Sequence, residues 1–230
     1  MNTRAFVGQQ TEDKLRSPDS WDAQSAQGKT DPERYWRAEA KARAQAKDYS
    51  SAIAILTQLI DRNPDSAADY NNRGLIYFQS GQLDRALEDY NTALQLNPKL
   101  ASIYNNRANY YAACGKIVEA VADYEVALDL DPSNIRAWIN LGITFRDLGL
   151  YQRAIENFDF ALILGQFAGN VYAERGRTYH LWGEWNCAIA DYQRALVQLP
   201  QPSYTTPAAN HRLRLQVEIW LDDLLSPLEV

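Results

Sequence analysis

The chain has 230 residues, a net charge of −6 at pH 7 and a sequence pI of about 5.0. Nucleic-acid-binding domains are usually basic, so this acidic balance disfavours a nucleic-acid partner. The sequence lacks an apolar run of roughly eighteen residues, and residues 1–30 lack an apolar stretch of signal-peptide length. These features predict a soluble, cytoplasmic protein with no transmembrane segment.

Residues 1–30 are rich in Gln, Ser, Thr, Asp and Lys and show no periodic apolar pattern, which predicts a disordered N-terminal arm. Trp21 is either idle there or an anchor of the arm to a partner. Residues 23–30 match a loose phosphate-binding pattern, A-x-x-x-x-G-K-T. Polar residues precede the pattern and Asp31-Pro32 follows it, so the strand and helix that a phosphate loop needs are missing. We therefore expect no nucleotide and no other cofactor.

An internal repeat begins after the arm. Alanines recur at a step of 34 residues: Ala52, Ala86, Ala120, Ala154 and Ala188. Aligning the chain on them gives five units: 33–66, 67–100, 101–134, 135–168 and 169–202. A fixed period of this length indicates an array of one repeated unit rather than a single globular core.

The residue types within the unit predict two antiparallel helices. Numbering each unit from 1 to 34, large residues at positions 4 and 11 and a small residue at position 8 share one helix face. Ala at position 20 and a large apolar residue at position 24 form the facing stripe of a second helix. Glycine near position 15 ends the first helix, and a residue-Pro pair ends the second, except at Gly165-Gln166.

These residue types at these offsets resemble the tetratricopeptide repeat (TPR) family, and the Tyr-Asn-Asn-Arg-Gly signature is similar to bacterial, especially cyanobacterial, members. The resemblance covers about 170 residues and implies an all-α fold, a right-handed α-solenoid of five helix pairs across residues 31–202. Residues 203–230 are expected to form a capping helix and tail. Thr206-Pro207 predicts the start of this helix, and its apolar stripe is Leu213, Val217, Trp220 and Leu224.

In TPR proteins the first helix of each unit lines a concave groove, and asparagines occur at these positions here. They are Asn72, Asn106 and Asn140 at position 6, Asn71 and Asn105 at position 5, and Asn109 at position 9. An amide offers both a donor and an acceptor, so the row could bind the backbone of an extended peptide. The arrangement resembles the asparagine ladder of O-linked sugar transferases. The alternative is a solvated polar face.

Basic residues occupy both ends of the predicted groove: Arg37, Lys41, Arg136, Arg146, Arg177 and His180. On an acidic protein they favour a ligand that carries carboxylates, unless they pair with acids of neighbouring units. Three further arginines, Arg73, Arg107 and Arg175 at position 7, are interpreted as structural partners of acids such as Asp89 or Asp123. Cys114 and Cys187 are interpreted as reduced packing residues, because neither lies in a metal-ligand pattern.

Taken together, these residues favour a non-catalytic interaction scaffold or assembly factor that binds an extended, acidic segment of a protein partner. Only two histidines are present, and no nucleophile–base pair or metal set is visible, so we expect no enzyme activity. One alternative is a self-associating structural module. Another is a co-chaperone with a carboxylate clamp, but Ser102 and Asn106 in the third unit supply no cation for it.

Overall fold

A computed structural model describes residues 32–201 and 208–226. The arm, the Trp21 alternatives, the phosphate-loop pattern and the Thr206-Pro207 helix start lie outside these residues. The described residues form α-helices with the following bounds: α1 Pro32–Gln45, α2 Tyr49–Arg62, α3 Ala67–Gln79, α4 Leu83–Leu96, α5 Ala101–Ala113, α6 Ile117–Leu130, α7 Ile135–Asp147, α8 Tyr151–Ile163, α9 Ala168–Trp182, α10 Trp185–Gln198 and α11 Ala208–Leu225.

The helices pack as consecutive hairpins, α1 with α2 and so on to α9 with α10, and each hairpin packs on the next. The first helices of successive units also contact one another, from α3 to α5, α5 to α7 and α7 to α9. One face of the array is therefore built from first helices, as the resemblance implied. The predicted all-α solenoid is confirmed.

Within each hairpin a small residue on the first helix contacts a large side chain on the second. A Cβ built on Gly142 would lie 2.8 Å from Phe158 Cε1, and one on Gly176 would lie 2.8 Å from Tyr192 Cδ1. Phe158 and Tyr192 are fully buried. The small residue at position 8 thus lets the two backbones approach, and the ring at position 24 fills the space beside it.

The arginines at position 7 are structural, as predicted. Arg107 donates from Nε and Nη2 to the two carboxylate oxygens of Asp123, at 2.7 and 2.9 Å. Its Nη1 also donates to Asn91 Oδ1 of the preceding unit, at 2.8 Å. Arg73 and Arg175 repeat both contacts, with Asp89 and Thr57 and with Asp191 and Asp159. Each of these arginines therefore joins its own hairpin and ties that hairpin to the one before.

The fourth unit lacks this arginine. Leu141 and Asn157 occupy the positions that Arg and Asp hold in units two, three and five, and both are buried. Asn157 donates to Arg153 O at 2.7 Å, but its Oδ1 has no hydrogen-bond partner among the described residues. At this position the fourth unit therefore has a buried oxygen without a hydrogen bond, whereas the aspartates of units two, three and five are paired with arginine.

The turn after the fourth unit is also irregular. Gly165 and Phe167 both have left-handed backbones, with φ of 78° and 57°. Phenylalanine rarely adopts this conformation because its Cβ crowds the backbone. The turn therefore differs from the residue-Pro turns of the other units.

Both cysteines lie on the surface, which corrects the expectation that they are packing residues. Cys114 ends α5 at the exposed turn before α6, and Cys187 lies in the first turn of α10. Each is free and exposed. Gly115, next to Cys114, is itself exposed, and the buried Ala188 next to Cys187 does not bring the Cys187 side chain inside.

The last helix, α11, covers the end of the array. Val217 is fully buried, and the predicted stripe of Leu213, Trp220 and Leu224 packs on the same cluster as Tyr192 and Leu199. Arg214 Nη1 donates to Leu196 O at 2.7 Å and to Leu199 O at 3.2 Å. The arginine thus satisfies carbonyls at the end of α10 that lack a helical partner. The predicted capping role of this helix follows from these contacts.

The fourth unit provides a control for the arginine–aspartate pair. We expect Arg107→Leu to destabilise the protein by about 3–5 kcal/mol, because Asp123 would keep a buried charge without a partner. Adding Asp123→Asn recreates the Leu–Asn pair of the fourth unit and should recover most of that loss. Urea unfolding followed by circular dichroism measures both variants. A double variant no more stable than Arg107→Leu alone would contradict this account.

Candidate functional site

The asparagines of the inner face bond to one another across units. Asn106 Nδ2 on α5 donates to Asn71 Oδ1 on α3 at 3.0 Å, and Asn105 Nδ2 reaches Asn106 Oδ1 at 3.4 Å. Asn71 and Asn105 are buried, so neither offers a free amide surface to a ligand. Position 5, expected to face the groove, instead serves the contact between helices.

A second amide link joins the third and fourth units. Asn140 Nδ2 on α7 donates to Asn109 Oδ1 on α5 at 2.8 Å, and the buried Tyr124 hydroxyl donates to the same oxygen at 2.6 Å. The 34-residue period aligns these amides, and it also brings them close enough to form hydrogen bonds with one another. Asn106 and Asn140 remain partly exposed, and each Nδ2 has a second N–H.

Asn72 differs from the other five asparagines. It makes no hydrogen bond to any of the described residues, and it lines a cavity at the N-terminal end of the inner face. The volume of this cavity is about 860 Å³. Its wall is formed by α1, the turn after it, α2, α3 and the start of α7.

The cavity is basic and amphipathic. Its cations are Arg37, Lys41, Lys47 and Arg136. Amides line it at Gln45, Asn72 and Gln79, and apolar side chains at Leu56, Leu75 and Ile76. None of the described residues that line it is acidic. On a chain of net charge −6, this concentration of positive charge makes the cavity an attractive site for anions.

The four cations differ in how far they are neutralised. Arg37 donates to both carboxylate oxygens of Asp69, at 2.7 and 2.8 Å, and to Glu33 at 2.8 Å. The hydrogen bond and charge of Asp69 raise the pKa of Arg37. Lys41, Lys47 and Arg136 have no acidic partner among the described residues. The Arg136 guanidinium lies 5.9 Å from the centre of the Phe167 ring, a contact that leaves its positive charge without a carboxylate to offset it.

The other predicted basic residues are engaged within the protein. Arg146 Nη1 donates to Glu174 at 2.5 Å, as the alternative of pairing between units anticipated. The Arg177 guanidinium lies 5.0 Å from the centre of the Trp220 ring. His180 Nδ1 lies 3.2 Å from the Tyr192 hydroxyl, and burial lowers the pKa of His180. At the C-terminal end of the face, therefore, one arginine is paired with an acid and the other lies against an aromatic ring.

Two features of the cavity were missed from the sequence. Lys47 occupies position 15, where the other four units have glycine, and it keeps the left-handed turn with φ of 63°. The lysine in place of glycine was the feature of the sequence that could have pointed to Lys47 as a cavity residue. Arg136 was predicted as a basic groove residue from the fourth unit, but its approach to the wall formed by the first two units was not.

The described residues contain neither a candidate metal site nor a candidate membrane span. No group of three or more His, Cys, Asp or Glu side chains in that part of the chain could hold a metal ion. None of the helices bounded above is long and apolar enough to span a bilayer.

Comparison with known families matches the chain to two repeat models. The TPR repeat model matches residues 74–113 and 108–149, and the tetratricopeptide repeat model matches residues 34–66. These segments fall within the predicted units one to four.

Solved structures show the same fold at low sequence identity. PilW, a type IV pilus biogenesis factor, has a TM-score of 0.68 and 21% identity, covering 84% of this chain and 94% of that one. PilF of Pseudomonas aeruginosa has a TM-score of 0.67 and 18% identity, covering 84% and 91%. A thermophilic TPR protein of Thermus thermophilus has a TM-score of 0.67 and 18% identity, covering 84% and 98%.

The contacts of the asparagines predict different effects on stability. Asn140→Ala should destabilise the protein by about 1 kcal/mol, because it removes the hydrogen bond to Asn109. Asn72→Ala should leave stability unchanged or raise it by up to about 0.5 kcal/mol, because Ala is the better helix former. Urea unfolding of both variants gives the comparison. Equal losses in the two variants would show that Asn72 has a structural partner.

Proposed function

Because the chain is a tetratricopeptide repeat protein, we propose that it is a non-catalytic interaction scaffold or assembly factor that binds an extended, acidic segment of a partner protein along its concave face. The observation that carries the proposal is the N-terminal cavity, with its four cations and no described acidic lining residue.

The cavity supplies two kinds of contact. Lys41, Lys47 and Arg136 would bind carboxylates of the segment, and Arg136 offers the planar, two-pronged geometry that suits a carboxylate. The partly exposed side chains of Leu75 and Tyr49 would receive an aliphatic or aromatic side chain beside those carboxylates. A segment that alternates acidic and apolar residues fits both.

The amides would hold the backbone of the segment. Asn72 is free to donate to a peptide carbonyl and accept from a peptide N–H. Further along the face, the second N–H groups of Asn106 and Asn140 could donate to carbonyls while the links between units stay intact. Binding through backbone groups does not depend on the side chains of the ligand, so the cavity would supply most of the selectivity.

A role in assembly has a parallel among the similar structures. PilW is a type IV pilus biogenesis factor. At this level of identity the likeness concerns the fold, and fold alone does not fix function. The parallel supports a scaffold as the class of function and leaves the partner open. The cytoplasmic location stays a prediction.

Self-association is a second candidate, favoured by an exposed apolar edge. The turns within units four and five bring Leu148, Leu150, Trp182 and Trp185 to the surface, each more than one-third exposed. Trp182 and Tyr151 of neighbouring units lie 6.2 Å apart between ring centres. Exposed apolar patches of this kind often mark interaction sites. A second copy of the chain could bind there without occupying the groove.

The carboxylate-clamp alternative gains partial support from one residue. Arg37, Lys41 and Asn72 come from the first two units, and Arg136 of the fourth unit stands in the cavity where the third unit offers no cation. This set differs in its unit spacing from the clamp that the resemblance implies. We therefore retain an internal acidic segment, rather than a chain terminus, as the proposed ligand.

Fluorescence anisotropy with two short labelled peptides tests the proposal. One alternates aspartate and serine around a central leucine, and the other has lysine in place of each aspartate. The acidic peptide should bind, and Arg136→Gln should weaken its binding by about tenfold, the loss expected for one charge-assisted contact of about 1.4 kcal/mol. The basic peptide should not bind.

Lys99→Gln is the matched control, since it removes one positive charge from an exposed turn outside the cavity. It should leave the affinity for the acidic peptide unchanged. Equal weakening by Lys99→Gln and Arg136→Gln would indicate a general effect of net charge and contradict a site in the cavity. A lack of binding by the acidic peptide would also contradict a site in the cavity.

A further inference from the structure

The described structure begins at Pro32, the first residue of α1, and α1 forms one wall of the basic cavity. Residues 1–31 precede that helix, so they join the described structure at the N-terminal end of the helix whose residues from Arg37 to Gln45 line the cavity. Within them, residues 18–22 read Pro-Asp-Ser-Trp-Asp. In this segment the large aromatic residue Trp21 stands between the acidic residues Asp19 and Asp22, and Pro18 precedes all three.

We propose that residues 18–22 of this same chain occupy the N-terminal cavity and compete there with the partner segment. The inference rests on the proposed function for the competition, but not for the docking itself. The arm would then act as an internal regulator that a partner has to displace.

The segment offers both an apolar ring and carboxylates, and the cavity has apolar and basic side chains that would bind them. The Trp21 ring would contact the partly exposed side chains of Leu75 and Tyr49 in the cavity wall, and a ring of this size removes a large apolar area from water. The carboxylates of Asp19 and Asp22 would face Lys41, Lys47 and Arg136, which have no acidic partner among the described residues. Pro18 favours the extended backbone that a groove accepts.

The length of the connection permits the contact. Trp21 lies 11 residues before Pro32, and an extended chain spans about 3.4 Å per residue, so the reach is roughly 37 Å. Helix α1 has 14 residues, and at about 1.5 Å per residue it is roughly 21 Å long. The cavity lies along the second half of that helix, between Arg37 and Gln45. The connection therefore has enough length to turn back along α1.

Tethering makes the contact effective even when it is weak. A short connection gives the attached segment an effective concentration in the millimolar range. An unattached partner has to compete against that local concentration. Phe6, the other aromatic residue within residues 1–31, has no acidic residue near it, since residues 1–11 contain no Asp or Glu. This difference provides a matched control within the same segment.

The test uses the full chain and a labelled synthetic peptide with the sequence of residues 16–25. The variant Trp21→Ala, Asp19→Asn, Asp22→Asn should bind this peptide at least about tenfold more tightly than the wild type, whose own segment competes from an effective concentration in the millimolar range. Phe6→Ala should behave like the wild type. Adding Arg136→Gln to the triple variant should weaken binding of the peptide.

Hydrogen exchange gives an independent measure. Amides of α1 and α3 beside the cavity should be more protected in the wild type than in the triple variant, at every protein concentration. Protection that appears only at high concentration would assign the segment to a second copy and overturn the intramolecular proposal. Equal peptide affinity in the wild type and the triple variant, or no binding to either, would overturn it as well.

The outcomes separate this inference from the proposed function. If the triple variant binds the peptide of residues 16–25 but not the acidic aspartate–serine peptide, docking of the segment stands and the proposed partner class fails. If it binds the acidic peptide but not the peptide of residues 16–25, the proposed function stands and the docking fails.

Discussion

The close contact between a small residue at position 8 and a large side chain at position 24 sets the distance between the two helices of every unit. In the described units the small residue is Ala or Gly, and the partner is fully or almost fully buried. The same contact fixes the rotation of the first helix, and hence which of its positions face inward. The arginine at position 7 then joins three of the hairpins to the preceding unit, so the geometry of one unit is passed on to the next.

A repeated fold does not produce a repeated site. The step of 34 residues aligns the asparagines, but alignment brings them close enough to bond to one another, as Asn106 does with Asn71 and Asn140 with Asn109. Groups with an internal partner are less available to a ligand. The proposed recognition site therefore lies where the repeat is imperfect. The first unit has Lys47 in place of glycine, and Asn72 of the second unit has no hydrogen-bond partner among the described residues.

The sequence predicted most of the fold because its signals are local. Spacing within one unit identified the helix pairs and the partners of Arg73 and Arg107. The candidate site depended on distances between units, which a period does not specify. The approach of Arg136 to the first two units and the burial of Asn71 both follow from how the hairpins stack. Exposure of Cys114 and Cys187 was missed because Cys114 lies at an exposed turn, and Cys187, although next to the buried Ala188, lies on the outward side of α10.

Recognition at the N-terminal cavity is the central claim, and side-chain nuclear magnetic resonance measures it directly. The acidic peptide is titrated into the uniformly ¹⁵N-labelled protein that carries Trp21→Ala, Asp19→Asn and Asp22→Asn, and the side-chain amide and indole signals are followed. The account predicts the largest shifts at Gln45, Asn72 and Gln79. Largest shifts at the indoles of Trp182 and Trp185, with unchanged signals from the three amides, would contradict it.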